Sequence, residues 1–290
     1  MKRREVLLRG AAGAAAILTG FTLAGCSEKK EAPAQGASGA TKAEAQRGSA
    51  KATESLAVIR ERGKLVIAME GTWSPWTYHD QKGVLTGYDV AVGCKIAEAI
   101  GVEPQFVEGK WDGLLAGIDA GRYDIMVNGV GITEERRRAY DFSIPYAFDR
   151  VAVIVLEKNN AINGMGDLKG KKTANTISST YAETAEKAGA EVIGVDDLNQ
   201  TFELLLSGRI DATLNSEVTF HDYKKSHPDA PIRIACFVPQ AGEIGIPMKK
   251  GAQSDSLRRA IDEAIEKLRA SGELKKLSEA FFGIDISTPQ

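Results

Sequence analysis

Several side chains in this sequence are of types that hold ions rather than break bonds. Arg136 follows Ile132-Thr133-Glu134-Glu135. A planar guanidinium can grip a carboxylate or phosphate through two parallel hydrogen bonds. The alternative is a solvated basic helix face, since Arg137 and Arg138 follow directly. Thr180 opens a helical stretch behind Ser178-Ser179. Free backbone N–H groups and the helix dipole favour an anion there, and any of the three hydroxyls can equally be a plain N-cap. Trp73, Trp76 and Trp111 are the chain's three tryptophans; aromatic faces cover aliphatic stems and attract cations. Trp73, set among Gly71, Thr72, Ser74 and Pro75, reads as a ligand-facing ring, whereas Trp76 reads as well as a core residue. Glu70 closes an apolar run and is either a cation acceptor or a solvated loop acid. Gly129 and Gly131 allow backbone to approach a ligand closely.

Other chemistries are missing. There is no metalloprotease helix motif, phosphate loop or zinc-spaced cysteine set, and His79, His221 and His227 are too scattered for a metal site. No pair of groups divides acid from base work, so no catalytic residue, metal or cofactor is assigned. Cys94 and Cys236 are expected to be buried free thiols, a bridge being the alternative in an oxidising compartment. The 290 residues carry a formal charge of −2, with 43% hydrophobic and 26% charged residues. That composition supports one or two packed domains, excludes wholesale disorder, and lacks the basic excess of a nucleic-acid binder.

The elements that must position these groups follow from periodicity. Residues 64–69 (KLVIAM) read as a buried strand, 89–100 as an amphipathic helix stopped by Gly101, and 105–107 as a strand. A helix over 111–120 and a strand over 123–128 complete a βαβαβ rhythm, which implies parallel sheet covered by helices. The rhythm returns with strands over 172–175, 191–195, 210–215, 232–237 and 243–248, and helices over 180–187, 198–206 and 216–226. Helices over 254–270 and 273–282 close the chain. Ala120-Gly121-Arg122-Tyr123-Asp124 before a strand ending at Asn128 is echoed by Ser207-Gly208-Arg209-Ile210-Asp211 before Asn215. Two similar lobes follow. Ligands of open α/β sheets sit beyond the carboxyl ends of strands, so Asn128 and Asn215 are expected to face each other across a cleft.

At this point the residues resemble a known family. Gly87-Tyr88-Asp89-Val90-Ala91-Val92 and the helix behind it resemble the signature of periplasmic polar amino-acid-binding proteins of ABC importers, solute-binding protein family 3. The pattern departs at Ala91, where the family usually has an acid. Trp111-Asp112-Gly113-Leu114, Ile132-Thr133-Glu134-Glu135-Arg136 and Tyr140-Asp141-Phe142-Ser143 fit as well, and the resemblance runs from about residue 56 to 283. It implies an α/β, two-lobed periplasmic-binding-protein-like fold (class II), each lobe a sheet flanked by helices. Two crossover strands join lobe 1 (54–149 plus 244–290) to lobe 2 (150–243), with hinges near Arg150 to Val153 and Glu243 to Ile246. It also implies a monomer that binds an amino acid, without catalysis, and hands it to a permease.

The resemblance further implies a ligand site. Arg136 clamps the carboxylate opposite Thr180, with Thr133 and Tyr181 among the contacts. Trp73 and Trp111 lie flat against the ligand, Glu70 meets its side chain, and Asn128, Gly129 and Gly131 complete the first-lobe wall. The family usually places an aspartate just after the second repeat strand to accept the ammonium. Here that position is Ser216 and the acid is Glu217, so either Glu217 reaches in or Ser216 acts with a water. The set Glu70-Gly71-Thr72-Trp73, Trp111-Asp112-Gly113 and Leu214-Asn215-Ser216-Glu217 looks most like cystine-type members. A polar L-amino acid is therefore expected, cystine first and a basic amino acid second. The rival class is an enzyme on the same fold, since a family relative dehydrates a cyclohexadienyl acid.

Residues 1–25 read as an export signal: Lys2, Arg3, Arg4 and Arg9 precede a small-residue apolar run. Leu23-Ala24-Gly25-Cys26 resembles the bacterial lipobox, whose cysteine becomes a lipidated N-terminus. Arg3-Arg4 leaves the twin-arginine and general secretory routes both open. Setting residues 1–25 aside lowers the basic count from 37 to 33 and the acidic count from 39 to 38, a charge of −5. Residues 27–53, polar with the single proline Pro33, read as a flexible tether. The expected location is the cell envelope, on a membrane facing the periplasm or exterior. Cys26→Ser is expected to yield a soluble or unprocessed form on membrane fractionation; a mature-size lipoprotein still in the membrane fraction would contradict this.

Overall fold

The computed structural model describes residues 55–289. The export signal, Cys26 and the tether lie outside the described residues. The first segment runs α1 (Ser55–Arg62), β1 (Lys64–Met69), β2 (Tyr78–His79), β3 (Leu85–Thr86), α2 (Tyr88–Ile100), β4 (Glu103–Glu108), α3 (Trp111–Asp119) and β5 (Ile125–Met126). It continues with α4 (Glu134–Ala139), β6 (Tyr140–Phe142) and β7 (Ala147–Asp149). The second segment comprises β8 (Val151–Leu156), β9 (Lys172–Asn175), α5 (Thr180–Lys187), β10 (Glu191–Gly194), α6 (Leu198–Leu206), β11 (Ala212–Ser216), α7 (Glu217–Ser226) and β12 (Ile232–Phe237). The chain returns through β13 (Gly242–Ile244) to β14 (Pro247–Lys249), α8 (Asp255–Ala270) and α9 (Glu273–Phe282).

The strands form two five-stranded sheets, ordered β4-β1-β5-β14-β6 and β10-β9-β11-β8-β12. The expected parallel rhythm holds where a helix crosses over: β1 runs parallel to β4 and β5, and β9 parallel to β10 and β11. It fails at the strands nearest the crossovers. β14 is antiparallel to β5 and β6, and β8 to β11 and β12. The run over 243–248 is likewise two strands: β13 pairs with β7 as a separate antiparallel ribbon, while β14 enters the first sheet. The strand expected over 123–128 narrows to β5, because Asp124 instead turns its carboxylate to the Val66 N–H (2.7 Å) and Arg62. The α1 helix and the β2–β3 hairpin were not apparent in the pattern.

Periodicity explains the packing. The α8 helix buries Leu257, Ile261, Ala264 and Ile265 on one stripe against the core that holds Ile67, Val92 and Ile96, as an amphipathic surface helix does. Gly101 ends α2 in the left-handed conformation, and its N–H reaches the Ala97 and Glu98 carbonyls. No described helix is long and apolar enough to cross a membrane. No described cluster of His, Cys, Asp or Glu could hold a metal ion. Cys94 and Cys236 are free, and half-buried rather than buried.

The Gly87-Tyr88-Asp89 motif is structural. Gly87 has φ 127°, and a Cβ there would lie 2.2 Å from the Trp76 carbonyl oxygen, so only glycine lets the loop pass. Asp89 is fully buried. Its carboxyl accepts the Tyr146 hydroxyl at 2.7 Å and is also bonded by the Gly129 backbone. Burial outweighs these bonds and lifts its pKa to about 7. A carboxyl with a raised folded pKa stabilises most below its unfolded value and loses that contribution as pH climbs towards the folded one. Between pH 5 and pH 8 the protein is therefore expected to lose about 2–3 kcal/mol relative to Asp89→Asn. Denaturant titrations of both at the two pH values measure this; parallel changes would contradict it.

Candidate functional site

A narrow cavity, with about 50 Å³ of free space, lies between the two sheets. Its first-lobe wall is Glu70, Trp73, Trp111 and Gly129; its second-lobe wall is Asn175, Thr176, Ser179, Thr180, Tyr181, Asp197, Leu198, Thr201 and Asn215. Every strand that feeds it does so from its carboxyl end or the loop beyond. Trp73 stacks on Trp76 with centroids 5.1 Å apart and meets Tyr181 edge-on at 6.4 Å. Gly129 makes this stack fit: at φ 54° its added Cβ would fall 2.5 Å from the Trp73 ring. Trp76 itself is wholly buried, packed with Tyr88 and Phe282.

A helix N-terminus lines the cavity and an arginine backs it. Thr180 begins α5, and the helix is capped by Ser179, whose hydroxyl accepts the Ala182 N–H at 3.1 Å. Arg136 comes from α4, capped by Thr133, whose hydroxyl accepts the Arg136 N–H at 3.1 Å. The Arg136 guanidinium donates to the Gly131 and Ser178 carbonyls, both at 2.9 Å, and lies over the Trp111 ring at 5.3 Å. Burial lowers its pKa. The guanidinium is one layer behind the cavity lining. Gly131 lies between it and the lining residue Thr180: an added Cβ there would sit 3.2 Å from Thr180 Cγ2 and 3.7 Å from Arg136 Nη1.

The lining also carries two carboxylates, Glu70 and Asp197. Glu70 and Asp197 are shared with a second cavity at the mouth, lined also by Thr72, Glu108, Lys110 and Asp196. Asn128 does not face Asn215. Its amide donates to the Glu70 carboxylate at 2.7 Å and its carbonyl accepts the Glu70 N–H at 2.7 Å. Burial raises the Glu70 pKa to about 7 against that hydrogen bond, with Asp197 and Asp112 adding repulsion. Glu70 makes no ion pair among the described residues. Asn215 accepts the Trp73 Nε1–H at 3.3 Å across the cleft. Ser178 Oγ to Asp112 (2.6 Å), Ser74 Oγ to Asp222 (2.7 Å) and Lys110 to Asp196 (2.7 Å) also cross it. The last pair is exposed on both sides and adds little stability.

Of the residues expected at the site, Glu70, Trp73, Trp111, Gly129, Thr180 and Tyr181 line the cavity, whereas Asn128, Gly131, Thr133, Arg136, Ser216 and Glu217 lie off its lining. The Ser216 hydroxyl donates to Asp149, which also accepts the Tyr181 hydroxyl at 3.0 Å. Asp149 is buried, and burial raises its pKa to about 7. Glu217 pairs with Arg150 at 3.2 Å and approaches His221 at 3.7 Å, on another face. The helix that begins at Glu217 turns its side chain away from β9 and α5. Conversely, Asn175, Asp197 and Thr201 line the cavity without having been singled out. A strand-ending Asn175 ahead of a Ser-Ser-Thr cap was a signal within reach. Asp197 was hidden because it looks like the N-cap that it also is, accepting the Gln200 N–H at 3.1 Å.

Comparison with known proteins places this geometry. Residues 65–284 match the model of bacterial extracellular solute-binding proteins, family 3. The L-cystine-binding protein TcyA of Bacillus subtilis is 34% identical over 82% of this chain and 88% of its own length. Among solved structures, the L-cystine solute receptor of Neisseria gonorrhoeae in its unliganded open conformation is 40% identical, with a TM-score of 0.56 over 80% of this chain and 99% of that one. An ancestral arginine-binding protein bound to arginine is 32% identical, with a TM-score of 0.71 over 77% and 99%. The better superposition on the less identical, ligand-bound protein agrees with the cross-cleft hydrogen bonds: the lobes here are drawn together. The chain belongs to family 3 of the bacterial extracellular solute-binding proteins.

Proposed function

We propose that this chain is the envelope-anchored receptor of an ABC importer, a binding protein without catalysis. It captures a polar L-amino acid, L-cystine first among them, and presents it to the permease as a monomer. The observation that carries the reading is the charge around the cavity, with the Glu70 and Asp197 carboxylates and the α5 N-terminus on its lining, Arg136 directly behind it, and tryptophan rings in its wall. A zwitterion matches that distribution. The cystine-binding names of the Bacillus and Neisseria relatives support the choice. The lobes divide at Asp149–Arg150 and Glu243–Ile244, so that the β7–β13 ribbon is the hinge. A basic amino acid is the second reading, favoured by Glu70: a buried carboxyl with no cation of its own suits a distal ammonium or guanidinium.

A thermal-shift screen of the common L-amino acids and L-cystine tests this. Ligand at ten times its Kd adds about 1.4 kcal/mol of stability. A shift with L-cystine is expected; a shift with arginine or lysine alone would move the assignment to the second reading, and no shift at all would overturn both. In the same assay Arg136→Ala is expected to weaken binding by about 2–5 kcal/mol, or roughly 30- to 4,000-fold, through loss of a charge-assisted contact in a desolvated cleft. The exposed Arg137→Ala is expected to do little, and equal small effects from both would assign the clamp elsewhere.

A further inference from the structure

A zwitterion in this cavity needs an acceptor for its ammonium close to the clamp for its carboxylate, since one carbon carries both groups. Ser216 and Glu217 are committed to Asp149 and Arg150. Asn215 Oδ1 is taken by Trp73 Nε1 and by the Ser216 N–H. Glu70 is braced by Asn128 on the first lobe. Besides the threonine hydroxyls, the second-lobe wall still offers one amide and one carboxylate acceptor. Asn175 is 3% exposed; its amide N–H donates to the Leu214 carbonyl at 2.8 Å, which fixes the orientation of the group and leaves Oδ1 buried without a partner. A buried acceptor left unpaired is costly, and native proteins rarely keep one without a use. Asp197 uses one carboxylate oxygen to cap α6.

Both residues line the cavity and stand at the carboxyl ends of adjacent parallel strands, Asn175 closing β9 and Asp197 three residues beyond β10. Asn175 and Thr180 also open and close the same β9–α5 turn, so the acceptor lies beside the anion clamp. We infer that Asn175 Oδ1 and the Asp197 carboxylate together form the ammonium-accepting subsite of this chain. The inference rests on the amino-acid reading above. Asp197 supplies the charge and Asn175 the fixed, desolvated acceptor, while Ser216 serves the hinge side of the lobe.

Calorimetry with L-cystine and its ammonium-free analogue dithiodipropionic acid, and with L-arginine and guanidinovaleric acid, tests the subsite in wild type, Asn175→Val and Asp197→Asn. Asparagine caps a helix as well as aspartate, so Asp197→Asn removes charge without removing the cap. Each variant is expected to bind the amino acid that wild type binds about 10- to 100-fold more weakly, and to bind the ammonium-free analogue as wild type does. Thermal unfolding without ligand reports whether Asn175→Val is folded; if it is not, Asp197→Asn decides alone. Wild-type binding that the folded variants leave unchanged, or equal losses for amino acid and analogue, would overturn the subsite alone. A wild type that binds neither amino acid would overturn the functional reading beneath it.

Discussion

The two lobes meet through a ribbon only two strands wide, and Asp149 sits at its end. Its buried carboxyl collects the hydroxyls of Tyr181, from the cavity wall, and Ser216, from the end of β11. Gly242 faces it across the ribbon. The position of the second-lobe wall relative to the crossover is thus set by hydrogen bonds to one buried group. Burial weakens that group's hold on its charge, yet two donors at once keep it satisfied, as a buried carboxyl requires. Hydrogen bonds across the cleft, Trp73–Asn215 and Arg136–Ser178 among them, add to the ribbon in this arrangement, and a ligand that contacts both walls would shift the population further towards it.

The first lobe solves the matching problem with a second buried carboxyl. Asp89 takes the Tyr146 hydroxyl and the Gly129 backbone, and Gly129 is the floor under Trp73. A residue deep in the core therefore fixes the aromatic wall of the cavity. Asn128, the next residue along, holds Glu70 by two hydrogen bonds. Arg136 is likewise positioned before any ligand contact, by the Gly131 carbonyl of its own lobe and the Ser178 carbonyl of the other. Preorganisation of this kind lowers the cost of ordering on binding.

Much of this was legible in the sequence, for identifiable reasons. Apolar runs and glycine stops located β1, α2, β9, α6, β12 and α9 to within a residue or two, because helix and strand periodicities there coincide with burial. Trp73 was found as a cavity residue because its glycine-rich loop marked it as exposed to ligand, and Trp111 and Glu70 through the family resemblance, while Trp76 is a core residue. The antiparallel strands β8 and β14 were less legible: their direction depends on where the chain crosses between sheets, and no local pattern encodes that. Asn128 and Asn215 were paired by an internal echo, yet they do different work, since each amide satisfies its nearest partner and only Asn215 reaches across. Glu217 and Ser216 are alternative ammonium acceptors in the sequence, and the structure engages them with Arg150 and Asp149.

Ligand is expected to hold the two lobes together around a cavity lined by the Glu70 and Asp197 carboxylates and backed by Arg136. Small-angle X-ray scattering of the protein, with and without saturating L-cystine, tests it most directly. The account predicts a smaller radius of gyration with ligand, and a liganded profile that matches the drawn-together arrangement of residues 55–289. Identical profiles at saturation would contradict it.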